Sequence, residues 1–417
     1  MSDPKDIVIC NPKRTAVGRY GGAFVGVPVQ ELAATVVKAV IEDAGISGEV
    51  IDDIILGQAS PNGAAPALGR VVGLDAELGV EVPGMQLDRR CGSGLQAIAT
   101  AAAHVAAGAA DLIVAGGAES MSNTEYAVDG KIRWGAKGGT MELKDRLQEG
   151  REQAGGKHHP IPGGMIETAE NLREEYSIER GRQDKLAVAS HARAAAAQEA
   201  GDFDAEIVPV SVPQRKGDPV VVDKDEHIRP GTSEESLAKL RPVMGKSLEG
   251  ATVTAGNASG QNDGAAAMIV TTRDKAEELG LDPYAVLRGW AVAGVAPETM
   301  GIGPVDATKK VFDRLGLTFD DIDLIELNEA FAAQALAVLD AWGISEDDPR
   351  VNPVGSGISL GHPVGATGAR MVVTAAHRMR RTSGACRESV RAAPGSRPGS
   401  RPRTPRGGRA RVSRRRR

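Results

Sequence analysis

Cys91 stands in the stretch "DRRCGSGLQAI", where a strand pattern gives way to an alanine-rich helix. A cysteine in the first turn of a helix meets free backbone N–H groups and the positive end of the helix dipole, and both favour a thiolate. Gly92 and Gly94 remove side chains that would block a substrate, and Arg89 and Arg90 add positive potential. Such a turn suits a nucleophile, although an isolated cysteine can equally fill core space. His362 lies in "SLGHPVGATGAR", between glycines and just before Pro363. Held by backbone in a short turn, it reads either as a base near a thiol or as a loop histidine bonded to a carbonyl. In "ELNEAFAAQAL", Asn328 and Glu329 stand where a strand opens into a helix. Asn328 is then an N-cap, or an amide that holds a water or an oxyanion.

Other residues of these types carry less. The glycine turns have neither P-loop nor dinucleotide spacing. His158 and His159 lack a metal-ligand pattern with any other His or Cys, so no metal is expected. His104, His191 and His377 fall on helical patterns and read as structural, and Cys10 ends a strand and reads as core.

The elements that must position these residues alternate between strand and helix. "DIVIC" (6–10) and "IDDIILGQ" (51–58) read as buried strands, and "VQELAATVVKAVIEDAG" (29–45) as a helix stopping at Gly45. After Cys91 an alanine-rich helix leads into the strand "ADLIVAGGAE" (110–119). This order argues for a layered α/β fold. An internal repeat relates "AVIEDAGISGEVIDDIILGQ" (39–58) to "KVFDRLGLTFDDIDLIELNE" (310–329), implying two similar halves. Between them residues 121–250 turn polar and partly helical, as a covering insertion would, and strand character resumes within 250–272.

The composition excludes several classes. The 417 residues carry a net charge of −5, but twelve Arg against one acid from Thr382 onward give that tail +11, which leaves −16 for residues 1–381. An acidic body is no nucleic-acid surface. Three cysteines are too few for a disulfide framework, which points to a reducing cytosol. No signal-peptide layout and no membrane-length apolar run are present, so a soluble cytoplasmic protein is expected.

Taken together, "CGSGLQAI", "GGAESMS", "TAEN", "TAGNASGQNDGAAA", "NEAFAAQ" and "GHPVGATGAR" resemble, in this order, the thiolase family, whose members make or cleave 3-oxoacyl-CoA. Ketoacyl synthases share the fold and the cysteine but lack the last two contexts. The resemblance implies a duplicated α/β thiolase fold. Residues 1–120 and 251–282 would form the N-terminal half, 121–250 a loop domain over coenzyme A, and 283–381 an incomplete C-terminal half. Residues 382–417 would be a disordered tail. Cys91 would be acylated, His362 would activate it and help bind the thioester oxyanion, and Asn328 would hold a water that binds an enolate oxygen. Arg229 would lie near the nucleotide and Ser259 near the pantetheine amide. Met165, Ala258, Phe331 and Met300 would line the acyl and pantetheine tunnel. No cofactor is implied beyond the coenzyme A thioesters acting as substrates, acyl-CoA and acetyl-CoA. A homodimer or homotetramer working in fatty acid metabolism is implied as well.

Two departures stand out. Many short-chain members place His before the methionine of the covering loop, where this chain has Gly164. The family also ends with a second cysteine in a "CxGGGxG" turn, followed by a last strand, and that cysteine moves the substrate α-proton. Nothing after His362 matches it, since Cys386 stands in "GACRESV". The tail's Arg, Pro, Gly, Ala and Ser share G/C-rich codons, as a shifted reading frame would give. The competing reading is an inactive scaffold with a basic nucleic-acid-binding arm, though the arm has no aromatic residue for base stacking.

Overall fold

Apolar residues fill both faces of the first strand, β1 (Ile7–Thr15). Val8 and Cys10 pack into one hydrophobic cluster, and Ile7 and Ile9 into another on the opposite face. The computed structural model describes residues 3–135 and 138–390, with side chains as far as Thr382. Those up to Met379 form one compact unit. In chain order β1 is followed by α1 (Val29–Ala44), β2 (Asp53–Gly57), α2 (Leu68–Asp75), β3 (Met85–Leu87), α3 (Ser93–Ala106) and β4 (Leu112–Ser120). The covering segment contributes α4 (Arg146–Glu152), α5 (Gly164–Glu175) and α6 (Arg180–Glu199). Then come β5 (Asn262–Thr272), β6 (Pro283–Val286), α7 (Gly303–Leu315), α8 (Ala332–Trp342) and α9 (Val364–Val390).

One mixed sheet dominates, with strand order β6-β1-β5-β4-β2-β3 and two short strands attached outside this path. The β1–β5 and β5–β4 pairs are antiparallel, whereas β4–β2 and β2–β3 are parallel. All nine residues of β4 are buried, as a central strand covered on both faces requires. On one face α1 and α2 pack Leu32, Val36, Leu68 and Val72 against Leu112, Val114 and Ile269. On the other, Ile98, Ala101 and Val105 of α3 meet Ile55, Ile113 and Met268 together with Ala369 and Val373 of α9.

Small residues let α3 and α9 come unusually close. A Cβ on Gly94 would lie 2.8 Å from the Ala369 backbone N and 2.9 Å from the Gly365 oxygen. A Cβ on Gly365 would lie 2.7 Å from Gln58 Cα, and one on Gly117 would collide with the Gly365 carbonyl. Backbone therefore packs on backbone where β2, β4 and the N-termini of α3 and α9 meet.

The covering segment is tied to the sheet by a buried ion-pair cluster. Arg14 of β1 donates through Nε to Glu206 Oε1 at 2.7 Å, and through Nη1 and Nη2 to both oxygens of Asp225 at 2.7 and 2.9 Å. Pairs this dry hold together only because every charge has its partner.

The expected repeat appears in the local structure. α1 ends at Gly45 (φ 65°), a 3-10 turn covers Gly48–Val50, and β2 follows. α7 ends at Gly316 (φ 67°), a 3-10 turn covers Phe319–Asp321, and an extended segment follows. The second copy is less covered: residues 287–296 and 322–328 alternate residue by residue in burial, and no ladder runs along either among the described residues. Ile325 makes a single bridge to Val351. Lys310 and Arg314 of α7 donate instead to the carbonyls of Val292 and Trp290. No residue of α7 is fully buried, whereas α1 buries eight.

Two expectations need correction. Residues 382–390 continue α9 as helix rather than starting a disordered tail, since the preceding turns carry no Gly or Pro stop. Cys386 falls in this stretch with its side chain outside the described residues, and 391–417 lie outside them altogether. Cys10 sits within β1 rather than at its end, and it is buried.

Gly117→Ala should be destabilised by about 1–3 kcal/mol, because the added methyl has no void to enter. Urea denaturation checks this, and an unchanged midpoint would contradict the close packing described above.

Candidate active site

The turn bearing Cys91 is locked by its neighbours. Arg90 adopts φ 49°, a left-handed conformation that a non-glycine residue rarely takes. Asp88 Oδ1 accepts from the Arg90 N–H at 2.6 Å, while Ser93 Oγ accepts from the Arg89 N–H at 2.8 Å and donates to the Arg90 carbonyl at 2.6 Å. The Arg90 side chain reaches back to the Ala59 carbonyl at 2.7 Å. This fixes Cys91 in a 3-10 turn, Arg90–Gly92, that runs into α3.

The sequence pattern favours a thiolate here, but the surroundings decide otherwise. Burial pushes the Cys91 thiol up, and the charges of Arg90 and Arg151 only partly offset it. Part of the residue's surface stays open to solvent, yet protein encloses the sulfur closely enough for desolvation to dominate. Cys91 rests as a thiol and needs a base. Arg89, expected to add potential, is exposed.

His362 offers a neutral ring with one free nitrogen. It follows a short helix, Gly357–Leu360, and precedes α9. Asn262 Oδ1 accepts from the His362 backbone N–H at 2.8 Å, and Asn262 Nδ2 donates to the Gly18 carbonyl at 2.9 Å, pinning the loop to β5. Nδ1 of the imidazole lies 2.6 Å from Thr367 Oγ1, which is itself 2.9 Å from the Pro363 carbonyl. A carbonyl only accepts, so the single hydroxyl proton goes to Pro363 and the hydroxyl oxygen accepts from Nδ1–H. Nε2 is buried without a partner. As a bare lone pair this costs less than an orphaned N–H would, which favours the same tautomer. Burial, helped by Arg370 and Arg151, pulls His362 down to about 4, so the ring is neutral near pH 7.

The Asn328 amide lies 3.4 Å from the same Nδ1. Asn328 is not an N-cap: α8 begins at Ala332 with Phe331 before it. Glu329 is buried, accepting from Ser190 Oγ at 2.6 Å and Asn352 Nδ2 at 2.9 Å, which is a structural duty.

Glu119, at the end of β4, joins the two halves of the site. Its Oε2 accepts from the backbone N–H groups of Ala59 and Gly365, both at 2.9 Å, and its Oε1 from Ser60 at 3.2 Å. Burial raises it to about 7, against those three donors. Glu119, Asn262, Thr367 and Arg151 were not singled out from the sequence. The first three lie inside the quoted blocks, but nothing in their spacing shows which backbone groups they hold.

The residues expected around coenzyme A fall into separate groups. Ala258 pairs with Phe331 in an antiparallel bridge, and the Ser259 N–H donates to the Ala330 carbonyl at 2.9 Å. Met165 is the second residue of α5 and Met300 lies in a 3-10 turn, Pro297–Ile302, and Asn171 Nδ2 joins these elements by donating to the Glu298 carbonyl at 2.8 Å. Arg229 is exposed, and its backbone N–H donates to Nδ1 of the buried His191 at 3.2 Å. His159 Nδ1 sits 2.8 Å from Glu298 Oε1 in an exposed pair. Among the described residues no cluster of His, Cys, Asp and Glu could hold a metal, and no helix is long and apolar enough to cross a membrane.

Comparison with known proteins fits this geometry. Residues 7–274 match the family description "Thiolase, N-terminal domain" and residues 281–393 match "Thiolase, C-terminal domain". The chain is 46% identical to an acetyl-CoA acetyltransferase of Chromobacterium violaceum, covering 90% of this chain and 93% of that one. It is 44% identical to a β-ketoadipyl-CoA thiolase of Pseudomonas putida, over 91% and 94%. A crystal structure of the Bacillus anthracis acetyl-CoA acetyltransferase superposes with a TM-score of 0.86 at 40% identity, covering 91% and 93%. The chain belongs to the thiolase family.

Thr367→Val should free the His362 ring and slow Cys91 acylation by about tenfold or more, while Thr367→Ser restores it. Stopped-time mass spectrometry of the adduct checks this. Burial also lowers His191 and His227 to about 4 from the ordinary 6.5. Between these values the unfolded chain binds protons that the folded chain does not, so stability should fall as pH drops from about 6.5 to about 4. Urea midpoints across that window test the sign.

Proposed function

We propose that this chain is a thiolase-type acyltransferase, an acetyl-CoA C-acetyltransferase or acyl-CoA C-acyltransferase, that carries its acyl group on Cys91. The observation that carries the reading is the backbone contact of Gly94 with Gly365, which brings the turn of the protonated Cys91 against the turn of a neutral His362 whose Nε2 has no partner. In the first half-reaction the Cys91 proton passes to Nε2 while Sγ attacks the thioester carbonyl of acyl-CoA. The carbonyl–sulfur bond to coenzyme A then breaks, and coenzyme A leaves as a thiol with the proton from Nε2. The acyl group stays on Cys91. Asn328, through its amide or a water it holds, serves the developing oxyanion of the second half-reaction. Arg229, Ser259, Ala258, Met165, Phe331 and Met300 are the proposed contacts of coenzyme A and the acyl chain.

The second half-reaction also needs a group to take the α-proton of acetyl-CoA. Cys10 does not serve, because it is fully buried in β1, and burial pushes its thiol up to about 12. Acylation should therefore be better preserved than condensation. We further propose a cytoplasmic homo-oligomer, dimer or tetramer. Tyr126, Trp134, Met141 and Leu143, exposed by 63%, 86%, 66% and 71%, support association of copies through that segment. The acidic body speaks against nucleic acid as a partner.

Incubation with acetyl-CoA should add one acetyl mass, mapped to Cys91, with slow onward formation of acetoacetyl-CoA. Cys91→Ala should abolish the adduct. Labelling elsewhere, or turnover at the full rate of an intact thiolase, would contradict the reading.

A further inference from the structure

Arg151, the penultimate residue of α4, presents a cation to the site that the steps above do not use. Its charge acts on both Cys91 and His362. Among the described residues no carboxylate stands within ion-pairing distance of it, whereas Arg14, Arg180 and Arg182 each have one. Its neighbour is a neutral amide. With the Gln261 side chain turned so that its oxygen faces the guanidinium, Nη1 and Nη2 donate to that one atom at 3.1 and 3.0 Å. The remaining N–H groups of the fork have no protein acceptor given by the structure. Gly164 backs onto the same side chain, since a Cβ there would sit 3.4 Å from Arg151 Cβ. The next residue is Met165, at the start of α5.

Burial also holds the Arg151 guanidinium below its ordinary range. Asp145 acts on it only from beyond ion-pairing distance. A half-buried guanidinium without a bonded carboxylate is costly, and a carboxylate or phosphate supplied by a ligand removes that cost. The phosphates of coenzyme A belong with Arg229 at the nucleotide end in the reading above. Arg151 belongs to the thiol's surroundings: a Cβ on the preceding Gly150 would lie 3.3 Å from Arg90 Nη2, and its partner Gln261 precedes Asn262, which holds the His362 backbone.

We propose that Arg151 makes the site select acyl groups ending in a carboxylate, that is, ω-carboxyacyl-CoA thioesters. The inference rests on the acyltransferase reading. The carboxylate would accept from the free side of the guanidinium fork, and Gln261 would hold the other side in place. Such a charge-assisted, two-point contact distinguishes a carboxylate from a methyl end of the same length by about tenfold or more.

The test uses the full chain and two four-carbon thioesters, succinyl-CoA and butanoyl-CoA. Acylation of Cys91 is followed by intact mass, and binding of both thioesters to the Cys91→Ala variant is followed by calorimetry. Wild type should be acylated faster by succinyl-CoA, and Cys91→Ala should bind it more tightly. Arg151→Ala and Arg151→Gln should slow acylation by succinyl-CoA about tenfold more than acylation by butanoyl-CoA, and so remove the advantage. Equal rates in wild type, a preference for butanoyl-CoA, or an Arg151→Ala effect of the same size on both would overturn the proposal. The last of these outcomes would make Arg151 an electrostatic aid to the thiol instead. If neither thioester acylates Cys91, the acyltransferase reading fails, and the binding ratio still decides the selectivity.

Discussion

The site depends on a contact with no side chains in it. The N-terminus of α3 rests on the N-terminus of α9 through Gly94 and Gly365, and the ends of β2 and β4 press against them through Gly57 and Gly117. One helix carries Cys91 in its leading turn, and the other is preceded by His362. A spacer as small as a methyl group at this junction would shift backbone, since none of the neighbouring atoms is a movable side-chain end. The approach of the two turns that carry Cys91 and His362 is thus a property of the main chain.

Polar side chains then turn proximity into orientation. Glu119 gathers N–H groups from the loop after β2 and from the first turn of α9, so one carboxylate ties together the walls on either side of the nucleophile. Asn262 holds the backbone of His362, and Thr367 holds its ring. Burial sets the charge states. It keeps Cys91 a thiol and His362 neutral, a poised acid and base rather than a preformed ion pair. In the proposed reaction, proton transfer from Cys91 to Nε2 would coincide with attack on the thioester.

The two halves share a local grammar but not the same completeness. In the first, β2 is flanked by β4 and β3, and α1 lays an apolar face across the sheet. In the second, the extended segments at 287–296 and 322–328 have no comparable ladder among the described residues, and α7 stays half-exposed above them. Glu326 and Arg370 show the same incompleteness. They lie 3.6 Å apart and buried, and neither makes a hydrogen bond that satisfies its carboxylate or guanidinium. Burial raises Glu326 to about 7 despite the nearby cation.

How much of this was legible in the sequence follows from what each feature depends on. Helix ends at Gly45 and Gly316, the unbroken apolar run that opens β1 and the repeated helix–turn–strand pattern are local, and the chain states them outright. The residue types at Cys91, His362 and Asn328 are equally plain. Those residues alone left a structural alternative open at each position, and it is the order of the six blocks, as a family resemblance, that implied the chemistry. The charge state of Cys91 was not legible, because helix dipole and arginines argue one way and burial, a sum over distant elements, argues the other. Nor were the duties of Glu119, Asn262 and Thr367, whose partners lie up to a whole domain away in sequence. The uncompensated charge of Arg151 is likewise a tertiary fact: the sequence supplies an arginine in a polar insertion, and only the folded chain shows which carboxylates fail to reach it.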